Sequence, residues 1–359
     1  MNKCILWALT SFLAVTLPVA KVDAQVTSPD QLSKQISEIQ QQVRALSAQA
    51  EKSTKMAVPQ AIHFQLEELA KFIFQLKALY GIYGEDDRRN YYRVDDNEQL
   101  AARATLALVR TSELTETGEG VYSLPATGAS LCTPAQIDKI NAEKGTKYQE
   151  EAFYEEPAPA FCSGVKIKDD IVATAGHCVK SNDDCKTISF VTGFFKTARG
   201  STPHLGIASS RIFRCKDLID RKHDPATKSD WALVRVDRKM NGVPQVKLAS
   251  HGKIKTDDLV TVVGYPMGLP VKITGNAKVR RLEKAYFVTN LDTYGGNSGS
   301  PVLNSSELLK RQLVLEGLLV RGEADFAVKH PCRISKRCDE DGCRGEDVTF
   351  TNEFKAKLP

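Results

Sequence analysis

An all-β domain is predicted for residues 128–359, preceded by a helical segment. Two features of residues 128–359 predict the all-β part, and a third separates the chain before it. Short apolar runs alternate with Gly, Pro and Asp turns: Ile171–Ala173, Thr187–Val191, Ala232–Val236, Leu259–Val263, Val279–Leu282 and Leu313–Val320. The stretch has a natural size for two β-barrels, and no tandem repeat of fixed period runs through it. The preceding chain has a different periodicity, with apolar residues three and four apart.

Residues 1–24 read as a secretory signal peptide. Lys3 supplies the positive start, Cys4 to Ala20 is apolar, and Val22-Asp23-Ala24 precedes a cut ahead of Gln25. Residues 25–80 form the helical segment. Leu32, Ile36, Ile39, Val43 and Leu46 make a heptad seam, Val58-Pro59 interrupts it, and Leu66, Leu69, Ile73, Leu76 and Tyr80 resume it. A pro-segment and a self-associating or anchoring arm are both compatible with that pattern. Residues 81–127 link the two parts, with a charged loop at Gly84–Arg89, a short strand over Asn90–Val94 and a helix over Glu98–Val109.

Composition narrows the function classes. The 359 residues are 42% hydrophobic and 26% charged, which excludes a mostly disordered chain, a collagen-like fibre and a multi-pass membrane protein. The net charge of +5 is small for this length and gives no support to a nucleic-acid partner. No stable membrane span is expected once the signal is cut. Nine cysteines are an odd number, but Cys4 lies in the signal. The other eight, Cys132, Cys162, Cys178, Cys185, Cys215, Cys332, Cys338 and Cys343, suit four disulfides in a secreted or periplasmic protein. Zinc on Cys332, Cys338 and Cys343 is disfavoured because the Cys-x2-Cys knuckle is missing. No metal and no cofactor is expected.

Three strings carry chemistry. Gly295-Gly296-Asn297-Ser298-Gly299-Ser300-Pro301 is a tight turn that can project a serine hydroxyl and aim backbone N–H groups at a developing oxyanion. Ile171 to Cys178 is a strand ending in a small-residue turn that presents His177. Asp230-Trp231-Ala232-Leu233 opens an apolar strand with a carboxylate able to hold an imidazole, and Asp224 is its main rival.

In the order His, Asp, Ser, these strings resemble the trypsin/chymotrypsin superfamily of serine peptidases. Asp292 to Pro301 is especially similar to the bacterial V8-like, glutamyl-endopeptidase-related members, and Gly84–Arg88 is similar to a charged loop near their mature start. The resemblance implies two six-stranded antiparallel β-barrels and acyl transfer onto a protein or peptide substrate. Ser298 would be the nucleophile, His177 the base and Asp230 its orienter, with the amides of Gly296 and Ser298 as oxyanion hole. It also implies a Cys162–Cys178 bridge at the histidine loop. Cys185–Cys215 is then the remaining pair in the first barrel, and the other four cysteines keep three possible connectivities.

Substrate contacts are expected at Asp292 and Thr293 in the specificity pocket, and at Val320 and Gly322 on the strand that pairs with substrate backbone. Asp292, six residues before Ser298, favours basic side chains. The strand carries Leu319 and Arg321 and no histidine, which disfavours glutamate. Asn297 stands where an aspartate would pair with a newly cut N-terminus, so the oxyanion hole should form without that switch. A catalytically silent binding protein of the cell envelope on the same fold remains the alternative. Expressed as residues 25–359 and protected from further cleavage, the protein should have a formed oxyanion hole. Full activity of that uncut form would exclude an inhibitory pro-segment.

Overall fold

Val, Ile, Phe and Leu runs bounded by turn residues pair into two closed rings of strands. The computed structural model describes residues 86–359, apart from His251, Glu323 and 339–342. The expectations for residues 1–80, the signal and the helical segment, lie outside the described residues.

The first ring contains β1 (Thr105–Arg110), β2 (Cys162–Lys168), β3 (Ile171–Thr174), β4 (Ile188–Thr192), β5 (Ile212–His223) and β6 (Asp230–Val236). They close in the order β6–β3–β2–β1–β4–β5, each pair antiparallel. The two-residue turn Asp169-Asp170 joins β2 to β3 and sets their register. Leu106, Leu108, Val165, Phe190 and Leu233 fill this ring with no exposed surface.

The second ring contains β7 (Leu259–Gly264), β8 (Lys272–Leu282), β9 (Tyr286–Thr289), β10 (Pro301–Asn304), β11 (Val314–Arg321) and β12 (Glu346–Phe350). Their order is β8–β7–β10–β11–β12–β9, closed by the β8–β9 pairing. Val260, Val279, Phe287, Val302 and Val348 form its interior. The two six-stranded antiparallel barrels expected from the resemblance are present.

Besides the strand expected over Asn90–Val94, which is only Arg89–Asn90 followed by a 3-10 turn over Tyr91–Arg93, three features differ from the sequence expectation. Helix α1 covers Asp96–Ala104, not Glu98–Val109, and the chain then turns into β1. Asp95 caps the helix start with its carboxylate, and the Thr105 hydroxyl donates to the Ala101 carbonyl at the end. Leu106 and Leu108 are taken by the sheet because β2 and β4 pair with them on both sides. The first barrel therefore begins inside the segment read as a linker, ahead of residue 128. That linker also holds a hairpin, Thr115–Gly118 with Val121–Ser123.

The third difference is helix α2 (Pro134–Lys144) within the all-β region. Its signals are in the sequence: Thr133 and Gln136 form a reciprocal capping box, Pro134 takes the first turn, and Gly145 ends it in the left-handed conformation at φ 64°. Its apolar face, Ile137 and Ile140, packs on the Cys132–Cys332 disulfide. The other bridges are Cys162–Cys178, Cys185–Cys215 and Cys338–Cys343.

A buried polar knot ties the linking segment to the second barrel. Lys272 Nζ donates to Glu156 Oε2 at 2.5 Å, to Asn90 Oδ1 at 2.7 Å and to the Pro270 carbonyl at 3.0 Å. Burial pushes the Lys272 amine down to about 8, and the Glu156 charge offsets only part of that. Glu156→Gln leaves a buried cation without its carboxylate. It is expected to cost about 3 kcal/mol of stability, read from the shift in the urea unfolding midpoint.

Candidate active site

The histidine loop leaves the end of β3. Cys178, one residue past His177, is bonded to Cys162 at the start of β2, which holds the loop against the barrel. Gly176 lies against the Lys222 and Trp231 carbonyls, where a Cβ would overlap backbone oxygen, so β5 and β6 press directly on the turn. Asp230 is the first residue of β6, opposite His223 in register.

That packing brings His177 and Asp230 together. His177 Nδ1 lies 2.8 Å from Asp230 Oδ2, and the His177 main-chain N–H donates to Oδ1 at 3.2 Å. Asp230 is 2% exposed. Burial alone would raise its pKa, but the hydrogen bond from His177 and the charges of His177 and His223 outweigh it and hold the carboxyl below the ordinary value. The His223 ring sits 6.0 Å from that of His177, a neighbour that sequence reading did not single out. Asp224, the rival aspartate, is half-buried and spent on its own turn, accepting from the Ala226 amide and the Thr227 hydroxyl.

The Ser298 loop connects β9 to β10 in the other barrel. Ser163 of β2 reaches across to it. Its N–H donates to the Ser298 carbonyl at 2.8 Å, its hydroxyl donates to the Gly296 carbonyl at 3.1 Å, and the same oxygen accepts from the Tyr265 amide at 3.0 Å. The loop's far side is held by Gly299 N–H to the Leu319 carbonyl at 2.7 Å and by Leu319 N–H to the Ser300 carbonyl at 3.0 Å. Gly296 has φ 95°, and a Cβ there would lie 2.8 Å from the Met267 nitrogen, so no other residue fits that turn without movement. Among the described residues neither the Gly296 nor the Ser298 amide donates to protein, and the Ser298 hydroxyl has no hydrogen-bond partner. Asn297 is buried, its Oδ1 accepting from the Ser300 hydroxyl at 3.1 Å.

The expected substrate contacts divide. Val320 is buried on β11, and Gly322 lies just past the end of that strand. Thr293 donates through its hydroxyl to Glu346 Oε2 at 2.9 Å. Asp292 opens the stretch that runs to the serine loop. It is exposed, and its Oδ2 accepts from the Asp87 amide at 3.2 Å because the Asp86–Arg89 segment crosses it. Beside it the Arg88 guanidinium, held by both oxygens of Asp86, lies 3.7 Å over the Tyr294 ring. Asp325 Oδ2 accepts from the Gly295 amide at 2.8 Å. Ser163, Arg88, Asp325 and Glu346 were not assigned site roles from sequence, because each is placed by a long-range contact and none by a local pattern.

His177 with Cys162 and Cys178 also forms a tight group of potential metal ligands among the described residues. The two sulfurs are bonded to each other, so the thiolates a metal requires are missing and the group does not fit one.

The His177–Asp230 contact gives a signed pH effect. Because Asp230 is depressed in the fold, the contact contributes fully above an ordinary aspartate pKa of about 3.9 and is lost as pH falls through the lower folded value. Asp230→Asn should remove that contribution from the acid-unfolding profile. Superimposable acid profiles for the two proteins would contradict it.

Comparison with known proteins gives a match over part of the chain. Residues 162–309 match the family model described as a trypsin-like peptidase domain. The chain is 30% identical over 156 residues to an extracellular metalloprotease of Bacillus subtilis (strain 168), a match covering 39% of this chain and 45% of that protein. The chain therefore spans under half the length of that relative. Among solved structures it is similar to human heparin binding protein, at 12% identity and a TM-score of 0.44, over 75% of this chain and 92% of that one. Rv3671c of M. tuberculosis H37Rv, in an inactive form, gives 14% identity and a TM-score of 0.38, over 77% and 95%. The match over residues 162–309, which contain His177, Asp230 and Ser298, supports the trypsin/chymotrypsin superfamily.

Proposed function

We propose that this chain is an exported serine endopeptidase that cleaves peptide bonds through an acyl-enzyme. The observation that carries the reading is the 2.8 Å contact of His177 with a buried Asp230, opposite a serine loop clamped from the same barrel by Ser163. Ser298 attacks the scissile carbonyl. His177 takes the serine proton through its outer ring nitrogen and later returns it to the leaving amine. Asp230 keeps the inner nitrogen protonated and stabilises the imidazolium. The Gly296 and Ser298 amides, neither engaged by protein among the described residues, receive the oxyanion. The Ser298–His177 hydrogen bond forms as substrate enters, since such bonds are often long before binding.

Within the superfamily the Asp292–Pro301 stretch favours the V8-like members. The four disulfides and the similarity to an extracellular protease support an extracellular or periplasmic location. Among the described residues no helix is long and apolar enough to cross a membrane. In this reading residues 1–24 are a signal, 25–80 a helical pro-segment or self-association arm, 81–127 a link, and 128–359 carry the peptidase apart from β1.

A fluorophosphonate probe tests the proposal. The folded protein should label, and Ser298→Ala should not. Ser298→Ala and His177→Ala should each lower kcat by about 10⁴-fold or more on a peptide substrate. A folded protein that neither labels nor cleaves would instead be a silent binding protein on this fold.

A further inference from the structure

Strand β8 carries the cations Lys278, Arg280 and Arg281, with Val279 between the first two. Strand alternation sends Val279 into the barrel interior, where it has no exposed surface, and turns Lys278 and Arg280 outward. The same alternation would drive Arg281 inward, and a β-bulge prevents it. Val279 pairs with Thr289 and Arg281 with Val288, so β8 advances two residues where β9 advances one. The extra residue keeps Arg281 on the outer face beside Arg280.

These side chains line a hollow of about 510 Å³, completed by Asp257 in the turn before β7, Asn290 just after β9, and the Cys343-Arg344 pair. The hollow contains none of His177, Asp230 and Ser298. Its donors are only partly used by the protein. Arg281 pairs with Glu283 at 2.9 Å and Arg344 with Asp347 at 2.6 Å, whereas neither Lys278 nor Arg280 has an ion-pair partner among the described residues. The Arg280 guanidinium is held through Nη1 alone, which donates to the Cys343 carbonyl at 2.7 Å. Asn290 Oδ1 accepts from the Lys278 main-chain N–H at 2.6 Å, which leaves Asn290 Nδ2 as a donor without a protein acceptor among the described residues. Asp257 is the single acid of the lining and is exposed, its amide donating to the Val279 carbonyl at 2.8 Å.

We propose that this hollow binds a phosphate or sulfate ester of a small hydroxylated molecule, such as a phosphorylated sugar. A guanidinium, an ammonium and an amide together supply the N–H groups that the oxygens of a tetrahedral oxyanion accept from. The hollow holds more than the ester group alone, and its side chains are polar, so the carrier is polar as well. Asp257 would repel the ester from its own end and accept hydroxyls of the carrier there.

The test is calorimetric titration of the full-length protein with glucose 6-phosphate, glucose 6-sulfate, unmodified glucose and dextran sulfate. One or both sugar esters should bind at one site per chain, and glucose should not. Lys278→Gln should weaken ester binding about 10-fold, through loss of one charge-assisted hydrogen bond, and Arg280→Gln should do the same. Lys278→Glu should abolish binding. The Lys278 side chain is exposed and bonds to no protein group among the described residues, so an unchanged urea midpoint for both Lys278 variants separates lost binding from lost folding. Binding of dextran sulfate alone, abolished by Lys278→Glu, would support the same site with a polymer as the source of the ester. Failure of every ester to bind, equal binding of glucose, or ester binding that survives Lys278→Glu overturns the proposal.

Discussion

Ser163 donates its main-chain N–H to the Ser298 carbonyl, and that bond crosses from one barrel to the other. Its hydroxyl adds a second link to Gly296 and accepts from Tyr265. Neither barrel alone holds a serine and a histidine at one place. The first carries His177 and Asp230, and the second carries the turn with Ser298. Their relative position is set where β2 of the first barrel touches the loop of the second. Asp230 takes part from its own side, since its amide donates to the Thr349 hydroxyl of β12 at 3.3 Å. The seam is polar, buried and satisfied. Such contacts are costly to leave half-made and so favour one arrangement.

Much of the candidate site's local geometry was legible because it is written in consecutive residues. The turn glycines around Ser298 and the small residues before His177 are required by backbone shape. Asp230 is legible for a related reason, as a carboxylate opening an apolar strand. The choice of Asp230 over Asp224 needed the register of β5 with β6, which no local string contains. The same limit explains Glu346 and Arg88. One meets Thr293 from the last strand of the second barrel, and the other comes from a segment about 200 residues before the serine loop.

The strands were legible where apolar runs stand between turn residues, as in Ile171–Thr174 and Leu259–Gly264. Reading failed at Leu106 and Leu108. Helical spacing through Ala104 runs directly into a strand there, and pairing with β2 and β4 decides the matter against local preference. Helix α2 failed in the opposite sense. Its capping box was plain in Thr133–Gln136, but the surrounding β texture hid it.

The Cys132–Cys332 bond has a meaning that belongs to the unfolded chain. It joins residues 200 positions apart, so the denatured protein is a large ring containing ten of the twelve barrel strands, all but β1 and β12. A ring of that size has far fewer configurations than an open chain, a restriction worth about 5 kcal/mol on the chain-entropy account. Part of the molecule's resistance to unfolding is therefore held in a covalent circuit around both barrels. A single backbone break inside that circuit would open the ring and still leave the two pieces joined.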